Sequence, residues 1–348
     1  MEKILVGMSG GVDSSVCAAL LKQQGFVVGG VTLNLNDSFD EDNITDAKAV
    51  CNKLEIEHFS AELKADFKLK VIDNFINEYI NGRTPNPCIV CNKYIKFGRM
   101  LDLARQHGYD KIATGHYAQI RKNENGRFLL CKAEDASKDQ TYVLYCLSQE
   151  QLSKVCFPLG ALSKAQVREF AEENNLVNAK KKDSQDICFV PDGDYAAFIE
   201  RTADYVSQKG DYLNLNGEII GKHNGVIHYT IGQRKGLGIA LGKPAFVISK
   251  NAKDNTVVLG DEEFLFYKKV LVRDVNFIPF DNLSGEMRVT AKLRYSQKEQ
   301  PAVIKPLEGG EVLVEFDNPQ RAPSQGQAAV FYDGDIVVGG GVIACGIE

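Results

Sequence analysis

Through the first half of the chain, short apolar runs alternate with longer segments whose apolar residues recur at helical spacing. Ile4, Leu5 and Val6 form the first run, and Val16, Ala19, Leu20 and Leu21 the first helical stripe. Val27 to Leu35 reads as a second strand, Thr45 to Leu54 as a helix, His58 to Leu63 as a strand, and Phe67 to Tyr79 as a long amphipathic helix closed by Asn81-Gly82. Lys93 to Gln106 predicts another helix and Ile112-Ala113 a short strand. Lys138 to Leu147 and Ser163 to Asn174 predict two more helices, the second capped by Ser163, and the helical pattern ends around Pro191 to Arg201. Such alternation predicts an α/β fold with a doubly wound parallel sheet, whose ligands lie beyond the carboxyl ends of the strands.

An Asn-Gly pair at 125 and 126 separates Gln119 to Arg121 from Phe128 to Leu130, which predicts a hairpin protruding from that sheet. From about Asp211 the period changes to two, with turn signals at Asn216-Gly217, Asp254-Asn255, Gly309-Gly310 and Asp333-Gly334. An all-β region is therefore expected there. The pattern divides into an α/β domain over 1–200, a small central β-rich domain over 201–266 and a C-terminal barrel or sandwich over 267–348.

Composition narrows the class. The 348 residues are 44% hydrophobic and 25% charged, ordinary for a soluble globular protein. No long apolar run exists and Met1-Glu2-Lys3 leads straight into a strand, so neither a membrane span nor a signal peptide is expected, and the cytoplasm is the expected compartment. Nine cysteines without a secretory signal argue for reduced thiols, of which Cys17, Cys51, Cys131, Cys146 and Cys156 lie in apolar patterns and read as packing. A net charge of −5 argues against a generally basic nucleic-acid binder. The block from Arg83 to Lys132 nevertheless holds ten Lys or Arg against three acids, a local excess that fits either docking on phosphates or a solvated face.

Between the first strand and the first helix stands Ser9-Gly10-Gly11-Val12-Asp13-Ser14-Ser15. Adjacent glycines let backbone approach a bulky anion, and the loop's N–H groups with the positive end of the helix make a phosphate cradle. A Walker loop would require a lysine here, and none is present. The stretch resembles the pyrophosphatase loop of enzymes that split ATP into AMP and pyrophosphate, which implies adenylation of a substrate oxygen.

A second constellation reads Arg83-Thr-Pro-Asn-Pro-Cys88-Ile-Val-Cys91, a CxxC at a helix start behind two prolines. A helix dipole together with Lys93 and Arg83 would favour thiolates there. A third cysteine, Cys188, follows the basic run Lys180 to Lys182. With no second CxxC or CxxH, a structural zinc site is not expected; a redox pair, or three ligands of a four-iron cluster with an open fourth iron, fit the residues.

Six segments in order, Gly7 to Ser14, Gly82 to Phe97, Ile112 to Tyr117, Lys138 to Tyr142, Ala179 to Phe189 and His228 to Gly238, resemble the bacterial tRNA-specific 2-thiouridylases. The resemblance runs from Lys3 to Gly341. It implies that Gly7, Met8, Ser9, Gly10, Gly11, Val12, Asp13 and Ser14, with Leu33 and Gly115 around adenine and ribose, bind ATP with Mg2+. Cys188 would receive persulfide sulfur from a cysteine desulfurase or a relay protein, and Cys91 would release it, the pair ending as a disulfide. Asn86, Pro87 and Cys88 would meet the target base, with His116 near the nucleotide. Lys138, Asp139, Gln140, Arg294, Tyr295 and Gln327 would contact tRNA. A monomer is expected.

One departure stands out. The family pattern is Asn-Pro-Asp-x-x-Cys, and Cys88 replaces the aspartate, so a thiol of reference pKa about 8.5 stands where a carboxylate of about 3.9 would handle protons. Either Cys88 is a tolerated change, or Cys88, Cys91 and Cys188 ligate a 4Fe-4S cluster that carries the sulfur. Other enzymes with this loop, which use a nitrogen nucleophile or thiolate C4, and a catalytically silent tRNA-binding module are the remaining alternatives.

Overall fold

The computed structural model describes residues 1–36, 41–179 and 187–347. The basic run at 180–182 and most of the acidic loop at 37–42 therefore lie outside the described residues.

Strands β1 (Lys3–Gly7), β2 (Val27–Asn34), β3 (Glu57–Glu62) and β4 (Lys111–Ala113) pair in parallel in the order β3-β2-β1-β4, with Val155–Cys156 added beside β4. Central β1 has Ile4, Leu5 and Val6 wholly buried, because helices cover both faces of the sheet. Helix α1 (Val12–Gln23) and α2 (Glu41–Lys53) follow β1 and β2. The parallel sheet expected from the alternation is present, and its topology places the β1–α1 loop and the turn after β4 at one edge.

The long segment after β3 is one continuous run built of Lys64–Phe67, a π-helical stretch Lys68–Ile72, and Asp73–Ile80. The next begins earlier than the pattern predicts, at Pro87, and passes from Pro87–Cys91 through a second π-helical stretch, Asn92–Arg99, into Met100–Gln106. Proline at the first helical position and the Asn86 side chain accepting from the Cys88 N–H at 3.1 Å explain that start.

One expectation is corrected. Lys138 to Leu147 is not a helix but turns around a single 3-10 turn, Thr141–Val143. Residues 141–147 are all buried, and Tyr142 to Leu147 pack in one cluster with Ala328, Val330, Tyr332 and Val337. A segment apolar on all sides has no periodicity from which to read its shape. The helical pattern ends close to Arg201, as expected, with the helix Tyr195–Ala203, capped by the Asp194 carboxylate at 3.0 Å from the Ala197 N–H.

Beyond it lies a four-stranded sheet formed by Gly210–Leu213, Ile219–His223, Phe246–Asn251 and Thr256–Gly260. Six antiparallel strands then close on themselves through the pairing of Phe266–Phe277 with Ile336–Ile347, which makes the C-terminal unit a barrel. The hairpin Gln119–Lys122/Phe128–Cys131 joins this sheet through Cys131 and Ile336 instead of standing free. Among the described residues no helix is long and apolar enough to cross a membrane.

Candidate active site

The loop after β1 is held in shape by its own side chains. Ser14 Oγ accepts from the Ser9 N–H at 3.2 Å and donates to the Gly11 carbonyl at 3.0 Å, and Ser15 Oγ donates to the same carbonyl at 3.0 Å. Gly11 caps α1 without a side-chain hydrogen bond, so the helix start is open to an anion. Gly10 has φ of 73° and a Cβ there would lie 2.5 Å from the Asn43 carbonyl oxygen, which requires glycine on both counts. Gly115, on the turn after β4, sits against the loop so closely that a Cβ would meet Asp13 C at 2.8 Å and Ser14 N at 2.9 Å. Met8 and Thr32 brace the floor, with the Thr32 hydroxyl donating to the Met8 carbonyl at 2.9 Å.

Two side chains complete the cradle from far along the chain. The Lys164 ammonium lies 2.7 and 2.8 Å from the two Asp13 oxygens, and the Tyr117 hydroxyl donates to Asp13 Oδ1 at 2.9 Å. The cation that the loop itself lacks is thus supplied by the first turn of the helix Lys164–Glu173. Asn178 donates to the Gly10 carbonyl at 3.0 Å and to Ser15 Oγ at 2.8 Å, while its Oδ1 is buried with no partner among the described residues.

Cys91 ends the short helix Pro87–Cys91 and is buried, whereas Cys88 on the same helix is exposed. Phe189, next to Cys188, packs in the same apolar cluster as Cys91, with its ring 5.7 Å from Phe67, 5.3 Å from Phe75 and 5.3 Å from Phe198. That anchor brings Cys188 to Cys91. Burial pushes the Cys91 thiol up to about 12, opposed by Lys96 and reinforced by Cys188 and Cys88. The Cys188 thiol is also raised, first by desolvation in its surroundings although the residue reaches the surface, with Lys96 again opposing. The expectation of a thiolate favoured at Cys91 by Lys93, Arg83 and the helix dipole is corrected, since the cation that acts on it is Lys96. Burial outweighs the dipole, and Arg83 is spent on Glu78 at 2.5 Å.

Lys96 is the cation that matters here, and spacing alone did not single it out. In the π-helical stretch, i→i+5 bonding sets Lys96 one turn beyond Cys91. It also holds down the charge of His116, whose imidazole is buried between Phe97 and Phe157, lies 2.7 Å from the Thr114 hydroxyl, and is driven well below the usual histidine range by desolvation and then by Lys96. Both effects favour the neutral ring. Replacing Lys96 by methionine should move the pH profile for alkylation of Cys91 and Cys188 to higher pH, because the positive charge lowers both thiols. Mass spectrometry of iodoacetamide-treated protein across pH reads this directly, and superimposable profiles would remove Lys96 from the site.

Comparisons with known proteins decide the family. Residues 2–192 match the tRNA methyl transferase HUP domain, 197–261 the tRNA methyl transferase PRC-barrel domain and 267–343 the aminomethyltransferase beta-barrel domain. The tRNA-specific 2-thiouridylase MnmA of Acetivibrio thermocellus is 52% identical over 98% of this chain and 99% of its own. That of Clostridioides difficile is 50% identical, with 98% of both chains covered. The chain belongs to the tRNA-specific 2-thiouridylase family. Among solved structures, a 4-thiouridine synthetase–RNA complex with bound ATP aligns at 16% identity and TM-score 0.37 over 57% of this chain and 50% of that one, too slight a likeness to add to this.

With the thiouridylase family established, the positions expected to face tRNA separate into two groups. Asp139 and Gln140 turn inward: Asp139 accepts from Ala133 N–H at 3.0 Å and the Thr141 hydroxyl at 2.6 Å, with its carboxyl raised by burial, and Gln140 Oε1 accepts from the Tyr117 N–H at 2.9 Å. Arg294 donates to the carbonyls of Arg321 and Ala322 at 2.6 and 2.9 Å. Tyr295 is 45% exposed and its hydroxyl donates to the Asp139 carbonyl at 3.3 Å. Gln327 lies in the barrel turn that seats on the loop before Cys88, where the Thr84 N–H donates to the Gln325 carbonyl at 2.8 Å and Gly326 faces Arg83 and Thr84. Leu33, near the end of β2, packs half-buried between two apolar clusters.

Among the described residues no three His, Cys, Asp or Glu converge to hold a metal ion. Cys88, Cys91 and Cys188 sense one another's charge, and they are not among any group placed to hold a single metal ion.

Proposed function

We propose that this chain is an ATP-dependent tRNA 2-thiouridylase that activates the C2 oxygen of the wobble uridine as an adenylate and replaces it with sulfur carried on Cys188. The observation that supports the reading is that Cys91 and Phe189, the neighbour of Cys188, share one buried cluster, with the Cys91 and Cys188 thiols near enough to feel each other's charge. Family membership and the glycine cradle support ATP as the activating substrate.

In the first step the uracil C2 oxygen attacks the α-phosphorus, pyrophosphate leaves into the cradle at Ser9 to Ser14, and C2 acquires AMP as a leaving group. The open start of α1 and the Lys164–Asp13 pair hold the diphosphate and fix the loop. Mg2+ would offset phosphate charge while held by the phosphate oxygens, since Asp13 is already engaged by Lys164 and Tyr117.

A donor persulfide then transfers its outer sulfur to Cys188. The terminal sulfur of that Cys188 persulfide attacks C2, AMP departs, and the base is left joined through two sulfurs to Cys188. Cys91 loses its proton and attacks the Cys188 sulfur, the sulfur–sulfur bond to the base breaks with its electron pair going to the 2-thiocarbonyl, and a Cys91–Cys188 disulfide remains. A dithiol reductant resets the pair. The raised Cys91 thiol keeps the resolving group protonated until the adduct forms, and Lys96 is placed to favour its ionisation.

We further propose the division into 1–200, 201–266 and 267–348, a monomeric state, and a cytoplasmic setting with a cysteine desulfurase or relay protein as donor. Pyrophosphate, AMP and 2-thiouridine should form in equal amounts, with pyrophosphate release requiring tRNA. Thiolation without pyrophosphate would overturn the reading.

A further inference from the structure

Between the catalytic domain and the barrel runs a groove of about 970 Å3, lined among others by Pro85, Asn86, Tyr94 and Cys146 on one side and Arg273 and Asn276 on the other. Its charges are mostly cancelled in place. Lys68 pairs with Asp73 at 2.8 Å, Glu78 with Arg83 at 2.5 Å, and Arg273 stands 3.9 Å from Asp274. Lys70 and Lys93 are different: neither has an acidic partner among the described residues. Both stand over one ring, with the Lys70 ammonium 5.8 Å and the Lys93 ammonium 5.3 Å from the centre of Tyr94. That ring is 43% exposed, three residues beyond Cys91.

The placement is made by two irregular helices. Lys70 lies in the π-helical stretch Lys68–Ile72 and Lys93 and Tyr94 in Asn92–Arg99. Their apolar residues, Val71 and Ile72 against Cys91 and Ile95, share one buried cluster, which turns the polar positions between them out toward the groove. An exposed aromatic ring beside two uncompensated ammonium groups is the surface that an unstacked nucleotide needs, a π-face for the base and cations for the phosphates.

We propose that Tyr94, with Lys70 and Lys93, is a stacking platform that holds an unpaired nucleotide of the tRNA loop next to the uridine being modified. The inference rests on the tRNA reading above and adds to it a site. A target turned out of its stack leaves its neighbours without partners. The platform gives one of them a place beside the Pro85–Asn86 loop and keeps the loop open while the target reaches the thiols.

The test compares full-length wild type with Tyr94→Ala, Tyr94→Phe and Lys70→Ala/Lys93→Ala, on tRNA transcripts carrying either an intact loop or a single abasic nucleotide beside the target. Tyr94→Ala should raise KM for intact tRNA about tenfold, and Tyr94→Phe should restore it, since the ring face and not the hydroxyl is used. The Lys70→Ala/Lys93→Ala protein should show a shallower dependence of tRNA affinity on salt. On one of the abasic transcripts wild type and Tyr94→Ala should become equal, an outcome that a merely structural role for Tyr94 does not give. An unchanged KM for Tyr94→Ala, or an effect that persists on every abasic transcript, overturns the platform. So does a loss seen only with a protein sulfur donor and not with inorganic sulfide, which would assign the groove to that donor. Failure of wild type to thiolate any tRNA would instead sink the underlying reading.

Discussion

Cys188→Ser will abolish formation of 2-thiouridine, by at least about a thousandfold, while tRNA-dependent release of pyrophosphate continues. The two results separate because the cradle and the thiols are different parts. In the proposed reaction adenylation uses Ser9 to Ser14, Gly115 and the Lys164–Asp13 pair, whereas sulfur transfer uses Cys188 and Cys91. A serine oxygen cannot carry a persulfide, so the adenylated base has only water to meet. Cys91→Ser should stop one step later. The base has by then joined Cys188 through two sulfurs, and the group that breaks this bond is missing. A tRNA–protein adduct should therefore survive denaturation and vanish with a dithiol, as a gel of labelled tRNA would reveal. Were Cys91→Ser to turn over normally, with no adduct, the resolving role would pass to another thiol. Exposed Cys88 would be the first to examine.

Gly115→Ala will cost about a hundredfold in kcat/KM for ATP. Its Cβ would stand 2.8 to 2.9 Å from the backbone of Asp13 and Ser14, where no flexible side-chain end can yield. The loop itself must move, and a shift of roughly 1 Å in a group that positions reacting atoms costs about two orders of magnitude. Overpacking of this kind also destabilises by about 1–3 kcal/mol, so a lowered Tm should accompany the loss. Gly285→Ala is the control, since a Cβ there meets nothing within 4 Å. Equal ATP kinetics for Gly115→Ala and Gly285→Ala would mean that the turn after β4 does not shape the nucleotide site.

What could be read from the residues alone was local. The Ser9–Ser15 loop lies between β1 and α1 as the strand, glycine pair and helix stripe require, and the period-two region makes a β-sheet and a closed barrel. The thiouridylase motifs pointed to Cys91 and Cys188, and the buried cluster brings their segments together.

What could not be read depended on distant partners or on burial from every side. Lys164 and Asn178 reach the loop across 151 and 168 residues of sequence, and nothing in their own neighbourhood marks them. Residues 141–147 lost their periodicity because the barrel covers the face that would otherwise be polar. The Cys91 thiol was expected to be lowered by a helix start, but its depth in the cluster dominates. Lys96 gained its role through the wider turn of a π-helical stretch, a register that an ordinary 3.6-residue period does not reveal.

The decisive measurement follows the oxygen that leaves. A tRNA transcript with heavy oxygen at C2 of the target uridine is treated with ATP and a persulfide donor, and the AMP is weighed by mass spectrometry. The label should appear in the phosphate of AMP, one atom for each 2-thiouridine made. Sulfur at C2 with unlabelled AMP would contradict activation of that oxygen by adenylation.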